Sequence, residues 1–235
     1  MILNTGSRTD IPAYYSDWFY HRIQEGYVMV RNPYYPQQVT RYQLEPNLID
    51  VIVFCTKNPQ PMLERISQLS HFQQFWSVTI TPYGRDIEPH VPLKERVMDS
   101  FQQLSDIVGA KAMSWRYDPV FISEKYSMAY HIESFEQMAT VLQGYTQQCV
   151  VSFIDLYEKT KRNFPSVREV TAAEQAELIE AFSEIAREHD MQIHLCCENE
   201  ELIRDHVDAA GCLSQSILED AIGCTLDVPK RKYAR

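Results

Sequence analysis

Short apolar runs alternate with amphipathic stretches along the chain, and the alternation repeats six times. The apolar runs are "MILN", "DVIVFC", "FWSVTI", "AKAMSW", "CVVSFI" and "MQIHLCC". Between them lie segments with apolar residues at helical spacing, such as "YYSDWFYHRIQEG", which Gly26 would stop, and "PLKERVMDSFQQLSDIVG". Pro59 and Pro61 open a helix over "PMLERISQL", and Thr171 with Glu174 matches a capping box at the start of "TAAEQAELIEAFSEIAREHD". The segment "GYVMVRNPYYPQQVTRYQL" breaks the rhythm: two strand-like runs flank Asn-Pro and a further proline, as in a hairpin. "EKTKRNFPSVREV" reads as a long polar loop, and the part after the sixth strand as short helical structure. Strand and helix in strict alternation predict a parallel α/β protein, a partial (β/α)6 TIM-like barrel with a β-hairpin insertion after its first helix. Residues 1–228 would form that single domain and residues 229–235 a basic tail.

Every apolar run ends in a polar cluster. The clusters are Ser7-Arg8-Thr9-Asp10, Thr56-Lys57-Asn58, Thr81-Pro82-Tyr83, Arg116-Tyr117-Asp118, Asp155 with Tyr157, and Cys196-Cys197-Glu198. In a barrel of parallel strands all C-terminal ends share one face, where the loops build the active site. That places Arg8, Asp10, Lys57, Asn58, Tyr83, Arg116, Asp118, Asp155 and Lys159 around one mouth. Arg8, Lys57, Asn58, Arg116 and Lys159 are the candidates for binding a carboxylate or phosphate. Asp10, Tyr83, Asp118 and Asp155 are the candidates for moving protons or hydrogen atoms. Each has a structural alternative: Asp10 as a helix cap, Arg116 and Asp118 as an internal salt bridge. Arg116 and Asp118 lie two apart on an extended segment, so both point to the same side.

Composition narrows the chemistry. The chain of 235 residues carries a net charge of −10, which argues against general binding to nucleic acid and for a small anionic partner held by local arginines. No apolar run is long enough to span a membrane and the N-terminus lacks a signal-peptide pattern, so the expectation is a cytoplasmic protein. The six cysteines are too sparse for a disulfide scaffold, yet four of them, Cys196, Cys197, Cys212 and Cys224, crowd the last forty residues. Cys55 and Cys149 sit in apolar strands as small hydrophobes. Cys196 and Cys197 are adjacent, so on a strand only one can face inward. No glycine-rich phosphate loop or nucleophile elbow is present.

The motifs "SRTDIPA", "VRNP", "FCTKNP", "TPYGRDIEP", "WRYDP" and "DLYEKTKRN" run through nearly the whole chain. Together they resemble an uncharacterised bacterial domain-of-unknown-function family. Its members continue into a cysteine-rich tail similar to the three-cysteine motif of radical S-adenosylmethionine enzymes. The resemblance implies a barrel enzyme with a [4Fe–4S] cluster and S-adenosylmethionine, held mainly by a tail expected beyond Arg235, with Cys197 and Cys212 as candidate ligands in this part. The chain departs from the family pattern at Cys55, where a tryptophan is usual. Two other readings stand beside this one: a barrel enzyme using a divalent metal or no cofactor, with Asp10, Asp118, Asp155 and Glu198 as ligands or bases, and a non-catalytic ligand-binding barrel.

Overall fold

The computed structural model describes residues 1–6, 8–165 and 167–228. The expected tail at 229–235 and Ser7 lie outside the described residues. Seven strands form one sheet in which every pair is parallel: β1 (Ile2–Asn4), β4 (Val51–Thr56), β5 (Gln74–Thr79), β6 (Met113–Val120), β7 (Gln148–Phe153), β8 (Gln192–Leu195) and β9 (Val207–Asp208). They lie side by side in chain order, with β1 and β9 as the two edges. The sheet is therefore open, and the seventh strand corrects the count of six. β9 has only two residues, too few to leave an apolar run in the sequence.

The insertion has the expected form. β2 (Tyr27–Arg31) and β3 (Val39–Gln43) pair antiparallel as a separate ribbon after α1 (Ile11–Tyr14) and α2 (Ser16–Glu25). Gly26 ends α2 in the left-handed region, at φ 74°, which turns the chain directly into β2. The capping box of Thr171 and Glu174 opens α7 (Ala172–Glu188) as expected. The polar segment after β7 is not all loop, since α6 (Glu158–Asn163) occupies part of it.

Alternation along the strands gives the sheet two different faces. One carries Ile52, Phe54, Trp76, Val78, Trp115, Tyr117, Val151, Ile193 and Leu195, all buried under α4 (Lys94–Val108), α5 (Met128–Leu142), α7 and the smaller α3 (Gln60–Leu63). Aromatic rings dominate it. Phe54 stacks on Trp76 at 4.0 Å between centroids, Trp115 on Phe135 at 4.8 Å, and Phe135 on Phe182 at 4.2 Å. The indole of Trp115 is not wasted, because its N–H donates to the carbonyl of Ile80 at 3.0 Å. The opposite face begins apolar, with Val51, Val53 and Phe75 covered by Ile217, Leu218 and Leu226 in and after α8 (Gln215–Ile222). Toward the C-terminal ends of the strands that covering stops and the side chains become polar. No described helix is long and apolar enough to cross a membrane.

Candidate functional site

The strand register assembles the polar half of the inner face. Cys55 lies beside Ser77, which lies beside Ser114. One step further along, Thr79, Arg116, Val150, His194 and Asp208 form a row across five strands. Gly6 lets the chain pass close over this end of the sheet, since a Cβ there would meet the Cβ of Cys55 at 2.5 Å.

Arg116 is the centre of this face. Its guanidinium pairs with Asp118, and the two side chains are 20% and 18% exposed. Asp118 accepts a second hydrogen bond from the hydroxyl of Ser152 on β7. The Arg116 Nε is buried and has no hydrogen-bond partner among the described residues, as is true of the Ser77 and Ser114 hydroxyls. Burial alone would weaken the charge on Arg116, but Asp118 and the thiols of Cys212 and Cys55 outweigh it and raise its pKa.

Two thiols meet beside that arginine. Cys196 follows β8 on its inner side, and Cys212 arrives from the turn before α8. The two neighbouring thiols shift each other, so that the pKa of Cys196 rises and that of Cys212 falls, with the Arg116 charge assisting. Cys197, the expected candidate, lies beside Cys196 at the surface. It is exposed, has a positive φ of 63°, and its pKa is raised chiefly by Cys196. Cys196 is thus the inward member of the pair, and strand alternation could have decided this had the end of β8 been known.

A group of carboxylates lies above the arginine. Glu198 accepts from the Phe153 amide at 2.6 Å. Its pKa is raised by burial first and then by the charges of Asp155 and Asp118. Asp155 is exposed and accepts from the Tyr157 hydroxyl at 3.0 Å. Arg116, Asp118, Asp155 and Cys212 among the expected residues therefore converge, joined by Ser152, Cys196 and Glu198.

The other expected residues have different surroundings. Asp10 caps α1 through the Ala13 amide at 3.0 Å and takes the Lys57 amide at 2.8 Å on its other oxygen, so both oxygens serve the backbone. The Lys57 ammonium pairs with Glu88, whose second oxygen accepts from Thr81 at 2.7 Å. The Asn58 amide N–H bonds the Thr56 hydroxyl at 2.9 Å, which shapes the turn after β4. The Tyr83 hydroxyl donates to the Pro119 carbonyl at 2.7 Å and accepts from the Phe121 amide at 3.1 Å. With its ring stacked on Phe121 at 4.3 Å, Tyr83 braces the end of β6. Arg8 is directed toward the hairpin, where it donates to the Arg31 carbonyl at 3.2 Å. The side chain of Lys159 lies outside the described residues.

Sequence comparison gives a family without an activity. The model of the family described as Domain of unknown function (DUF1848) matches residues 2–235. The chain belongs to that family. No curated protein and no solved structure matches the chain. That membership bears out the resemblance to a domain-of-unknown-function family and carries no activity with it. For metal chemistry the donor set is the test. Among the described residues no three His, Cys, Asp or Glu side chains are grouped as a metal ion would need. Cys197 and Cys212 do not form such a set, and neither do the carboxylates with Asp10.

Proposed function

We propose that the chain is an enzyme that binds a small anionic substrate on the inner face of an open, barrel-like sheet and acts on it with groups around Arg116. Strand order supports the barrel-like part. A doubly wound sheet reverses its order at a switch point, whereas these strands run in sequence from edge to edge, as in a segment of a barrel. The observation that carries the substrate class is Arg116, a charged group set on the inner face with a buried Nε that no described residue satisfies. Leaving such a donor unpaired costs about 1–3 kcal/mol, a cost that a bound carboxylate or phosphate removes. Asp118, oriented by Ser152, is the base of this site. Glu198, whose carboxyl is biased toward its protonated form, is the acid.

The iron–sulfur reading rests on the family resemblance. A [4Fe–4S] cluster takes three or four thiolates; Cys196 lies near both Cys197 and Cys212, but among the described residues no three donors are grouped as a metal would need. The described cysteines do not fit that group, and no step is derived through it. Iron and acid-labile sulfide, measured on protein purified without oxygen, test this reading independently of Arg116.

The test of the substrate site is a melting-temperature screen at low salt with phosphate, sulfate and small mono- and dicarboxylates. At least one anion should stabilise the wild type by several degrees and leave Arg116→Met unmoved. Arg116→Met/Asp118→Asn serves as the control in which no carboxylate is left unpaired. Equal stabilisation of wild type and both variants would refute the assignment.

A further inference from the structure

A cavity lies at the β1 edge of the sheet. β1 pairs with β4 on one side only, and the β2–β3 ribbon stands off from its free edge. Between them is a cavity of about 600 Å³, within the range of small-molecule pockets. Its floor is apolar, with Leu3, Phe19, Val28 and Leu44. Its wall also holds Arg8, Arg22 and Arg31, and no aspartate or glutamate. In a chain with 32 acidic and 22 basic residues, three arginines without a carboxylate are a local reversal of charge.

Among the described residues the arginines engage few of their donors, and Arg22 also lies 5.7 Å from the centre of the Tyr27 ring. Arg31 donates to the Pro36 carbonyl at 2.7 Å and Arg8 to the Arg31 carbonyl at 3.2 Å. The Nε of Arg22 is buried with no partner. Among the described residues no carboxylate forms an ion pair with any of the three. Each guanidinium has five N–H donors, so the cavity presents a surplus of cationic donors over an apolar floor. Tyr15 and Trp18, about half exposed, stand at its rim.

An inorganic ion would satisfy the arginines and leave the apolar floor wet. A neutral hydrocarbon would do the reverse. Only a molecule with both parts matches both halves of the wall. We propose that this cavity binds an amphipathic monoanion, an aliphatic or aromatic body carrying one carboxylate or phosphate, with the head group among Arg8, Arg22 and Arg31. The reading does not depend on the site at Arg116.

Isothermal titration with octanoate, 2-naphthoate, octanol and octylammonium tests it. In Arg116→Met, which lacks the anion site of the inner face, octanoate or 2-naphthoate should bind saturably at one site, octanol at least tenfold more weakly, and octylammonium not at all. Arg22→Gln and Arg31→Gln, each added to Arg116→Met, should weaken the anion at least tenfold. Arg31 is exposed, so its variant keeps the test available if Arg22→Gln fails to fold. The site that Arg116→Met retains is thereby separated from the inner face. Octanol binding as tightly as octanoate, anion binding left unchanged by Arg31→Gln, or no saturable binding of either anion would overturn the proposal.

Discussion

The two faces of the sheet are made by the same strands and follow opposite rules. Toward the helices, Trp76, Trp115 and Tyr117 are buried among aromatic partners, and their polar atoms are satisfied where the structure shows them: Trp115 by Ile80, Tyr117 by His131. Toward the interior, the alternate residues Ser77, Ser114 and Arg116 each leave a buried polar atom without a partner. Strands of a parallel sheet are covered on both sides and ordinarily read as apolar runs. Here that holds for one face and only half of the other. A protein that satisfies its polar groups on one side and leaves them open on the next residue is holding the second side for something else.

Trp115→Ala should break the helix-side face most severely. It removes a fully buried indole and its stacking on Phe135, a loss of about 3–5 kcal/mol. Urea denaturation should show that loss, or no folded protein at all. Its neighbour Ser114→Ala, on the other face, should cost nothing and even stabilise by up to ~1 kcal/mol, since it removes an unpaired hydroxyl. Equal losses in the two variants would erase the distinction between the faces.

The next effect is set by pH. His131 is fully buried on the helix side of β6, between the Tyr117 hydroxyl and the Phe121 carbonyl, each at 2.8 Å. The carbonyl can only accept, so Nε2 carries the proton and Nδ1 accepts from Tyr117. Burial lowers its pKa to about 4. The unfolded chain therefore binds the extra proton first as the pH falls, and stability is full above about 6.5 and drains away down to about 4. At roughly 1.4 kcal/mol per unit, the loss is on the order of 3 kcal/mol. Thermal melts from pH 7 to 4 should show it, and His131→Gln should flatten that part of the profile. An unchanged slope would move the acid sensitivity to other groups.

On the inner face the loss should be smaller in stability and larger in binding. Arg116→Met leaves Asp118 with only Ser152, in a pair that still touches solvent, so about 1–2 kcal/mol is expected. Its response to anions should disappear. A cost as large as that of Trp115→Ala would make the pair a structural bridge.

The helix-side face was open to sequence reading because its signal is additive. Every strand of the sheet except β9 contributed an apolar run, and Gly26, Thr171 and Glu174 marked their helix ends by local chemistry. "WRYDP" revealed its pair through the two-residue spacing alone, which needs no tertiary knowledge. Arg8, Asp10 and Tyr83 show the limit of that method. All three follow strands, whereas Arg116 lies within β6, and the direction of a residue past a strand's end depends on the path of the loop. Asp10 turns to cap α1, and Arg8 turns to the hairpin. Cys196 was hidden for a related reason. Its partner Cys212 comes from beyond β9, a strand too short to announce itself.

That hidden pair gives the comparison its finest test. Cys197 and Cys212 are both late cysteines, but one is exposed beside carboxylates and the other meets Cys196 and Arg116 on the inner face. The neighbouring Cys196 and the charge of Arg116 bring the pKa of Cys212 down to about 6, whereas that of Cys197 is raised. Iodoacetamide reacts with the thiolate, so labelling followed by mass spectrometry should modify Cys212 with a midpoint near pH 6 and Cys197 only in more alkaline solution. Cys196→Ala and Arg116→Met should each move the Cys212 midpoint upward, the first by removing the neighbouring donor and the second by removing the charge. If Cys197 labels first, the inner face does not stabilise negative charge. Arg116 would then not be the anion-binding group of this face, because a group that cannot hold a thiolate beside it has little to offer a carboxylate.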